Sequence, residues 1–266
     1  MITSTRHPLV QAMRRAGGHP RRDPLQRIVL DGPRLIQEAL DAGIIIEAAL
    51  IAGDEQDPAG SPLGARLRDA GARVCQATLR VVQAAGRVTT SQGVVALARR
   101  PSPPDAAILT SPGLLLLVAD GIQDPGNLGT MVRTAAASGA SAVAVTEGTA
   151  DPFQPKAMRA SMGAAFRVPV LGLDGASLRA ALVACGVRVI VADARGDQDY
   201  TSAPLGPPLA IVVGNESAGP DPAWFDLGTR VRIPLLGPVE SLNAAVAAGV
   251  LLYEVVRRRG APPAIL

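Results

Sequence analysis

The sequence predicts an α/β protein in which a small N-terminal α/β domain precedes a larger α/β domain built on a parallel sheet. Short apolar runs alternate with helix-like segments along most of the chain. In the second half these runs are apolar throughout, which is typical of parallel strands buried on both faces. A proline-rich stretch at residues 101–112 separates the halves. We therefore predict domains at residues 1–100 and 113–266, joined by a linker.

The N-terminal half contains the elements of a small α/β unit. A short basic helix is predicted at Pro8–Arg15, and a Gly- and Pro-rich stretch ends it. The predicted strands are Arg27–Leu30, Ile44–Ile51, Arg73–Ala77 and Gly93–Ala98, and the predicted helices between them are Pro33–Ala42, Leu63–Ala70 and Leu79–Ala85.

The second half continues the alternation with longer apolar runs. The predicted strands are Leu114–Ala119, Ala142–Thr146, Val168–Leu171, Val187–Ala192, Leu209–Val213 and Val231–Ile233, and the predicted helices are Leu128–Ser138, Ala157–Met162, Ala176–Ala184 and Asn243–Val256. In open α/β sheets, ligands bind beyond the carboxyl ends of the strands. The loops Gly214–Pro220 and Pro234–Asn243 are therefore the first places to look for a site.

Composition limits the class of function. The chain has 266 residues, 48% hydrophobic and 18% charged, as expected for a globular protein. Residues 1–30 hold six Arg against one Asp, and guanidinium groups suit phosphate, which favours a nucleic-acid partner. A GC-rich genome would give the same arginine bias. The two cysteines lie far apart and predict neither a disulfide nor a metal site. Without a signal or membrane-spanning run, we expect a cytoplasmic protein that does not contact membranes.

Three motifs follow predicted strands: NLGTMVRTA at Asn127–Ala135, GNE at Gly214–Glu216, and IPL with ESLNAAVA within Ile233–Ala247. Any one of these motifs alone would be weak evidence, because such short patterns also occur by chance. In this order they resemble the SpoU (TrmH) family of RNA ribose 2′-O-methyltransferases. The pattern of the N-terminal half is more loosely similar to the ribosomal-protein-like substrate-binding domain that many members carry. The resemblance also implies a C-terminal trefoil knot, which a sequence pattern cannot show and general topology rules disfavour.

The reaction that this resemblance implies is methyl transfer from S-adenosylmethionine to a ribose 2′-hydroxyl, without a metal. Residues matching the catalytic positions are Asn127, Arg133, Glu216, Ser241 and Asn243. Residues matching the cofactor site are Gly214, Asn215, Ile233, Leu235 and Leu242, whose apolar members would surround adenine. Family accounts make the arginine the base for the hydroxyl proton. Because a free guanidinium stays protonated at pH 7, we favour binding of RNA phosphate and stabilisation of the alkoxide, and leave proton acceptance open.

Structural roles compete with these assignments. Asn127, predicted at the N-cap of its helix, could serve only as a cap, as could Ser241 at the final helix. GNE could be an ordinary turn after a strand. Arg133 could lie on a solvated helix face. The basic residues expected to contact RNA are Arg6, Arg14, Arg15, Arg21, Arg22, Lys156 and Arg159. For the last two a solvated helix is the alternative.

We predict an enzyme that methylates structured RNA, with 23S rRNA favoured because relatives acting on tRNA commonly lack the N-terminal domain. The alternatives are a tRNA 2′-O-methyltransferase and a catalytically inactive, ribosome-associated RNA-binding protein. A dinucleotide-dependent enzyme is disfavoured because no GxGxxG follows a strand. The final helix is apolar almost all round, which favours a homodimer with Ala248 and Leu252 in the seam.

Overall fold

The structure is a computed structural model, and it describes residues 1–18, 23–53, 61–86 and 91–260. The helices are α1 (Pro8–Gly18), α2 (Pro33–Asp41), α3 (Pro62–Asp69), α4 (Leu79–Gly86), α5 (Pro125–Ala137), α6 (Pro155–Ser161), α7 (Gly175–Ala184) and α8 (Ala244–Arg259). The strands are β1 (Arg27–Asp31), β2 (Ile46–Ala52), β3 (Arg73–Ala77), β4 (Val94–Arg99), β5 (Leu115–Asp120), β6 (Ala142–Val145), β7 (Val170–Gly172), β8 (Arg188–Ala192), β9 (Gln198–Asp199), β10 (Leu209–Gly214) and β11 (Thr229–Arg232).

The chain folds into two compact units. Unit 1 comprises residues Met1–Ser102 together with Asp151–Arg167, and unit 2 comprises Pro103–Ala150 together with the chain from Val168 onward. The first division falls inside the predicted linker. The sequence pattern predicts that residues 151–167 belong to the second domain, whereas their contacts group them with unit 1.

Unit 1 is built on a four-stranded sheet in the order β1-β4-β2-β3. β4 pairs antiparallel with both neighbours, and only β2 and β3 are parallel. Helices α1 and α4 cover this sheet, with Met13 and Val81 fully buried beside Leu50 of β2. The inserted segment is held by ion pairs of Arg100 with Asp151 (2.7 Å) and of Arg167 with Glu38 (2.7 Å). Unit 1 is thus an α/β layer assembled from two stretches of chain.

Unit 2 is built on a seven-stranded parallel sheet in the order β7-β6-β5-β10-β8-β11-β9. The predicted α/β fold with a parallel sheet is confirmed. The central strands β5 and β10 are buried at every residue, as their unbroken apolar runs predict. Their register pairs Asp120 with Gly214, so both strands end at the same place on the sheet edge. Two differences are local: β9 was not predicted, and α5 begins at Pro125 rather than Leu128.

Helix α8 closes unit 2 by packing against α5 and β10. Ala248 and Leu252 are fully buried within this single chain, so the prediction that they form a seam between subunits is wrong. Hydrogen bonds from the Arg257 guanidinium, and to a smaller extent from that of Arg258, lower the pKa of the Glu254 carboxyl from 4.5 to about 2. Arg258 also donates hydrogen bonds to the backbone carbonyls of Tyr200 and Thr201. The end of α8 is thereby tied to the segment after β9.

Within the described ranges, no helix has both the length and the apolar character needed to cross a membrane.

Candidate active site at the strand ends

The three sequence motifs meet beyond the carboxyl ends of β5 and β10. Asn127 Nδ2 donates a hydrogen bond to Glu216 Oε1, and Asn243 Nδ2 donates to Asn127 Oδ1 at 3.0 Å. A single chain of side-chain hydrogen bonds therefore joins α5, the loop after β10 and the start of α8. The amide of Asn127 is the middle link, because it donates to one partner and accepts from the other.

The start of α5 explains why Asn127 is available for this contact. Asp124, not Asn127, caps the helix: its Oδ1 accepts from the backbone N–H of Asn127 at 2.9 Å, and Pro125 occupies the first turn. The prediction that Asn127 occupies the N-cap position is therefore wrong, and so is the alternative that it serves only as a cap. Sequence reasoning missed Asp124, although an Asp followed directly by Pro marks a helix start. With the cap supplied by a neighbour, the Asn127 side chain is free to reach Glu216.

The start of α8 uses a different arrangement. Asn243 caps α8, and its Oδ1 accepts from the backbone N–H groups of Ala245 (2.9 Å) and Val246 (3.3 Å). Its Nδ2 remains available to hold Asn127. Capping and site assembly are thus performed by the two ends of one amide. Ser241, the alternative cap, is exposed and makes no hydrogen bond among the described residues.

The loop after β10 is shaped by Asn215. Its Oδ1 accepts from the backbone N–H groups of Ser217 (2.8 Å) and Ala218 (3.1 Å), and its Nδ2 donates to the carbonyl of Gly121 at 3.0 Å. Both ends of the side-chain amide are therefore engaged in fixing the loop against the end of β5. This geometry leaves Glu216 exposed and directed to Asn127.

Gly214 is required by a close backbone approach. A Cβ placed on it would lie 2.0 Å from the backbone nitrogen of Pro220 and 2.3 Å from the carbonyl carbon of Gly219. Backbone atoms at that distance cannot yield as a flexible side chain can. The loop therefore folds back over its own first residue, and only glycine fits there.

The second loop, from Ile233 to Leu242, offers unused backbone donors. None of its N–H groups donates a hydrogen bond to another described residue. Ile233, Leu235 and Leu242 are half-buried, whereas Leu236 is fully exposed. Apolar side chains beside unpaired backbone donors suit a flat apolar ligand with a polar edge, such as a nucleobase. The residues present therefore fit the adenine pocket that the motif implies.

Arg133 is not part of the hydrogen-bond chain. It lies six residues beyond Asn127 on α5, about 9 Å along the helix and about 120° around it. Its side chain is exposed and makes no ion pair or hydrogen bond with any described residue. The guanidinium therefore stands as a free positive charge on the surface of α5, available to an anionic ligand.

The residues expected to contact RNA lie in unit 1. Arg6, Arg14 and Arg15 are exposed at its N-terminal end, and Lys156 and Arg159 are exposed on α6. Arg21 and Arg22 fall outside the described residues. Within the part of the chain that the structure describes, no three His, Cys, Asp or Glu side chains come together as metal ligands would.

Comparison with known proteins places these motifs in a family context. The model of the SpoU rRNA methylase family matches residues 114–253. A 23S rRNA guanosine 2′-O-methyltransferase of Bacillus subtilis is 31% identical over 255 residues, covering 96% of this chain and 98% of that protein.

Solved structures agree in fold. An rRNA methyltransferase from Sinorhizobium meliloti with bound S-adenosylmethionine superposes with a TM-score of 0.84 at 30% identity, covering 97% of both chains. A structure described as concerning methylation of C/U34 on tRNA has a TM-score of 0.51 at 31% identity. It covers 56% of this chain and 99% of its own.

Replacing Gly214 with alanine should disrupt the loop after β10, because the new methyl group would overlap backbone atoms of Gly219 and Pro220. Thermal unfolding should show a Tm lowered by several degrees. Gly237→Ala is the matched control, since a Cβ there meets nothing within 4 Å, and its Tm should stay close to that of the original chain. Equal Tm values for the two variants would contradict the close approach at Gly214.

Proposed function

This chain belongs to the SpoU rRNA methylase family, and we propose that it methylates a ribose 2′-hydroxyl of 23S rRNA in the cytoplasm. It is an S-adenosylmethionine-dependent RNA 2′-O-methyltransferase. The observation that carries the site assignment is the hydrogen-bond chain Glu216–Asn127–Asn243, which brings all three family motifs to one sheet edge. The direct test is to map ribose methylation on rRNA from cells that lack the protein, with and without a plasmid copy. Identical methylation maps would refute the rRNA assignment.

Coverage of the relatives favours rRNA over tRNA. The Bacillus 23S rRNA enzyme and the Sinorhizobium rRNA enzyme align with nearly the whole of this chain. The structure concerned with tRNA aligns with little more than half of it. That shared portion corresponds in length to the family domain at residues 114–253. The remaining portion, centred on unit 1, is therefore the feature expected to select the larger RNA.

Bound S-adenosylmethionine supplies an activated methyl group, so the protein's task is to position groups and exclude water. We assign the adenine pocket to Ile233, Leu235 and Leu242, with the free N–H groups of the same loop for the base edge. Gly214 lets the neighbouring loop approach closely. Asn215 contributes through the loop that it shapes, because its side-chain amide is already engaged.

The polar chain Glu216–Asn127–Asn243 is proposed to orient the ribose. Its exposed carboxylate can accept a hydrogen bond from a sugar hydroxyl, and Asn127 holds that carboxylate in place. Ser241 is exposed at the edge of the same loop and can add a hydroxyl contact. This arrangement would fix the 2′-oxygen, and positioning of this kind lowers the barrier of a reaction whose methyl donor is already activated.

Arg133 is proposed to bind RNA phosphate and to stabilise the oxyanion as the hydroxyl proton leaves. Its lack of any partner among the described residues supports this role, since an ion-paired guanidinium would first have to be released.

Arg133→Ala should lower kcat by roughly 100-fold or more, because one preorganised charge at a developing oxyanion is worth that much. Affinity for S-adenosylmethionine, measured by calorimetry, should change by no more than a few fold. Arg133→Lys should recover part of the rate if the charge is what matters. Arg195→Ala, at another exposed arginine, is the control. Near-normal turnover of Arg133→Ala would remove Arg133 from the site.

Unit 1 is proposed to supply much of the RNA affinity. The residues proposed to contact RNA are Arg6, Arg14, Arg15, Arg21, Arg22, Lys156 and Arg159. The exposed positions of the described members support this. Lys156 and Arg159 reach unit 1 only because residues 151–167 fold there. The basic residues of both halves of the sequence are therefore combined on one compact unit.

The double substitution Arg14→Ala/Arg15→Ala should weaken binding of rRNA fragments. It should also lower the slope of log affinity against log salt by about 1 for each phosphate that the protein no longer neutralises. Binding of S-adenosylmethionine should be unchanged. The matched control is Arg195→Ala/Arg259→Ala, which removes two exposed arginines from unit 2. If both double variants reduce the salt slope equally, the RNA affinity depends on total charge rather than on the location of the arginines, and the assignment of RNA binding to unit 1 fails.

A trefoil knot is also proposed for unit 2, on the basis of how β11 is enclosed. The backbone N–H groups of Asp193 and Tyr200 donate to the carbonyls of Val231 and Arg232, at 2.9 and 3.1 Å. A Cβ on Gly196 would lie 2.5 Å from the carbonyl carbon of Val231. The segment 193–200 therefore wraps closely around β11, after which the chain returns as α8 to pack on β10.

Homodimer formation is proposed through the exposed stripe of α8. Val246 is 52% exposed and Tyr253 51% exposed, and they lie on one helix face two turns apart. Of the nine large hydrophobic side chains exposed in the described residues, four fall between residues 236 and 253. Such a concentration of exposed apolar surface is typical of an interaction surface. A symmetric copy is the partner, because the stripe borders the start of α8 where the site is assembled.

Val246→Glu should shift the protein from dimer to monomer in sedimentation velocity at micromolar concentration, because it places a charge in the apolar stripe. Cofactor affinity should fall as well, since Asn243 caps the same helix three residues earlier. Val183→Glu is the control, at an exposed valine of α7, and should leave the assembly unchanged. An original chain that sediments as an active monomer would refute the dimer.

A further inference from the structure

Asp120, the last residue of β5, is a buried carboxylate that lies outside the three motif segments named above. Only 7% of the residue is exposed. Its Oδ1 accepts from the hydroxyl of Thr146 at 2.7 Å, and its Oδ2 accepts from the backbone N–H of Asp221 at 2.8 Å. Thr146 lies just after β6, and Asp221 ends the loop that follows β10. One side chain therefore joins the ends of three adjacent strands.

The residue after Asp120 holds the same loop at its other end. The carbonyl of Gly121 accepts the Asn215 side-chain amide at 3.0 Å. The loop that carries Glu216 is thus fastened at its start by Gly121 and at its finish by Asp120. The residues between, Glu216 to Ala218, are exposed and face outward.

Both attachments lie within seven residues of Asn127 in the chain. Asn127 sits in the first turn of α5, which begins four residues after Gly121. The loop that carries Glu216 and the helix that carries Asn127 are therefore positioned from the same two residues. The Glu216 and Asn127 side chains meet because the loop and the helix that carry them are both attached at the end of β5.

We propose that Asp120 is a positioning residue that clamps the loop after β10 and so sets Glu216 against Asn127. This inference rests on the proposed methyltransferase function of the site. Asp120 does not touch the proposed substrate; it acts through the Asp221 N–H. A displacement of about 1 Å at a reacting centre can cost about 100-fold in rate, so a loop released at one end should lose much of its activity.

The chemistry distinguishes a hydrogen-bond clamp from an effect of negative charge. Asp120→Ala leaves the Asp221 N–H without its acceptor and leaves the Thr146 hydroxyl with only the Glu147 carbonyl, at 3.5 Å. Asp120→Asn can keep the essential contact, because its Oδ1 can accept from Asp221 while its Nδ2 donates to the Thr146 hydroxyl, which accepts as well as donates. If the hydrogen bond matters, asparagine should rescue; if the charge matters, it should not.

The test uses the full chain and measures hydrogen–deuterium exchange together with kinetics. In Asp120→Ala we expect faster exchange confined to residues 215–221, and a kcat lowered roughly 10- to 100-fold. Asp120→Asn should lie within a few fold of the original chain in both readouts. Thr149→Val is the matched control. It removes a buried hydroxyl that donates to the Ala119 carbonyl at 3.0 Å, at the end of the same strand but with no bond to the loop. It should lower the Tm without changing exchange at 215–221.

Three results would overturn the clamp: unchanged exchange at 215–221 in Asp120→Ala, an Asp120→Asn variant as impaired as Asp120→Ala, or the same local exchange in Thr149→Val. Should Asp120→Ala not accumulate as a folded protein, Thr146→Val carries the test, because it removes the hydroxyl that orients the carboxylate. Local acceleration of exchange then supports the clamp, and its absence refutes it. If the original chain methylates no RNA, the proposed function fails while the exchange measurements still decide the clamp.

Discussion

The parallel pairing of β5 with β10 is the constraint on which the site depends. Its register ends both strands at the same sheet edge, with Asp120 opposite Gly214. Each strand is followed at once by a polar loop. The loop after β10 carries one family motif, and the loop after β5 leads into α5, which carries another. Because the strands are buried at every residue, their apolar packing fixes this edge far more firmly than surface contacts could. The core therefore fixes the backbone positions of Asn127 and Glu216, and short local hydrogen bonds fix where their side chains point.

The first residues of α5 and α8 place the polar side chains of the site at that sheet edge. The cap of α5 is supplied by Asp124, which frees Asn127, whereas Asn243 caps α8 with its oxygen and holds Asn127 with its nitrogen. Capping satisfies backbone donors that a helix must satisfy in any case. The site thus uses groups that stability already places at the strand ends. Asn243 cannot be altered for function without affecting the start of α8, which explains why capping and catalytic interpretations of such residues were hard to separate from sequence alone.

Sequence patterns predicted the parallel sheet and the meeting of the motifs, because both follow from apolar runs that end at polar loops. They placed Asn127 at the cap because residue spacing cannot tell which of two neighbouring polar residues, Asp124 or Asn127, accepts the backbone bond. They placed the dimer seam at Ala248 and Leu252 because an apolar helix does not reveal which side its own sheet covers. Asp120 escaped notice because its role is visible only once three strand ends are adjacent. Apolar runs and the polar loops that end them could be read from the sequence, whereas the choice between neighbouring caps, the covered side of a helix and the contacts of a buried carboxylate could not.

The division into units alters how RNA recognition should be viewed. Residues 151–167 leave unit 2 after β6, pack in unit 1 and return before β7. Arg100 fixes this excursion twice, by its ion pair with Asp151 and by lying 4.6 Å from the centroid of the Phe153 ring. The guanidinium is therefore held in two ways at the root of the segment that carries Lys156 and Arg159. A chain cut at the linker would leave that segment without the sheet on which Ala157 and Met158 are buried. Unit 1 is consequently not a detachable module, and point substitutions rather than truncation separate its contribution from that of the methyltransferase unit.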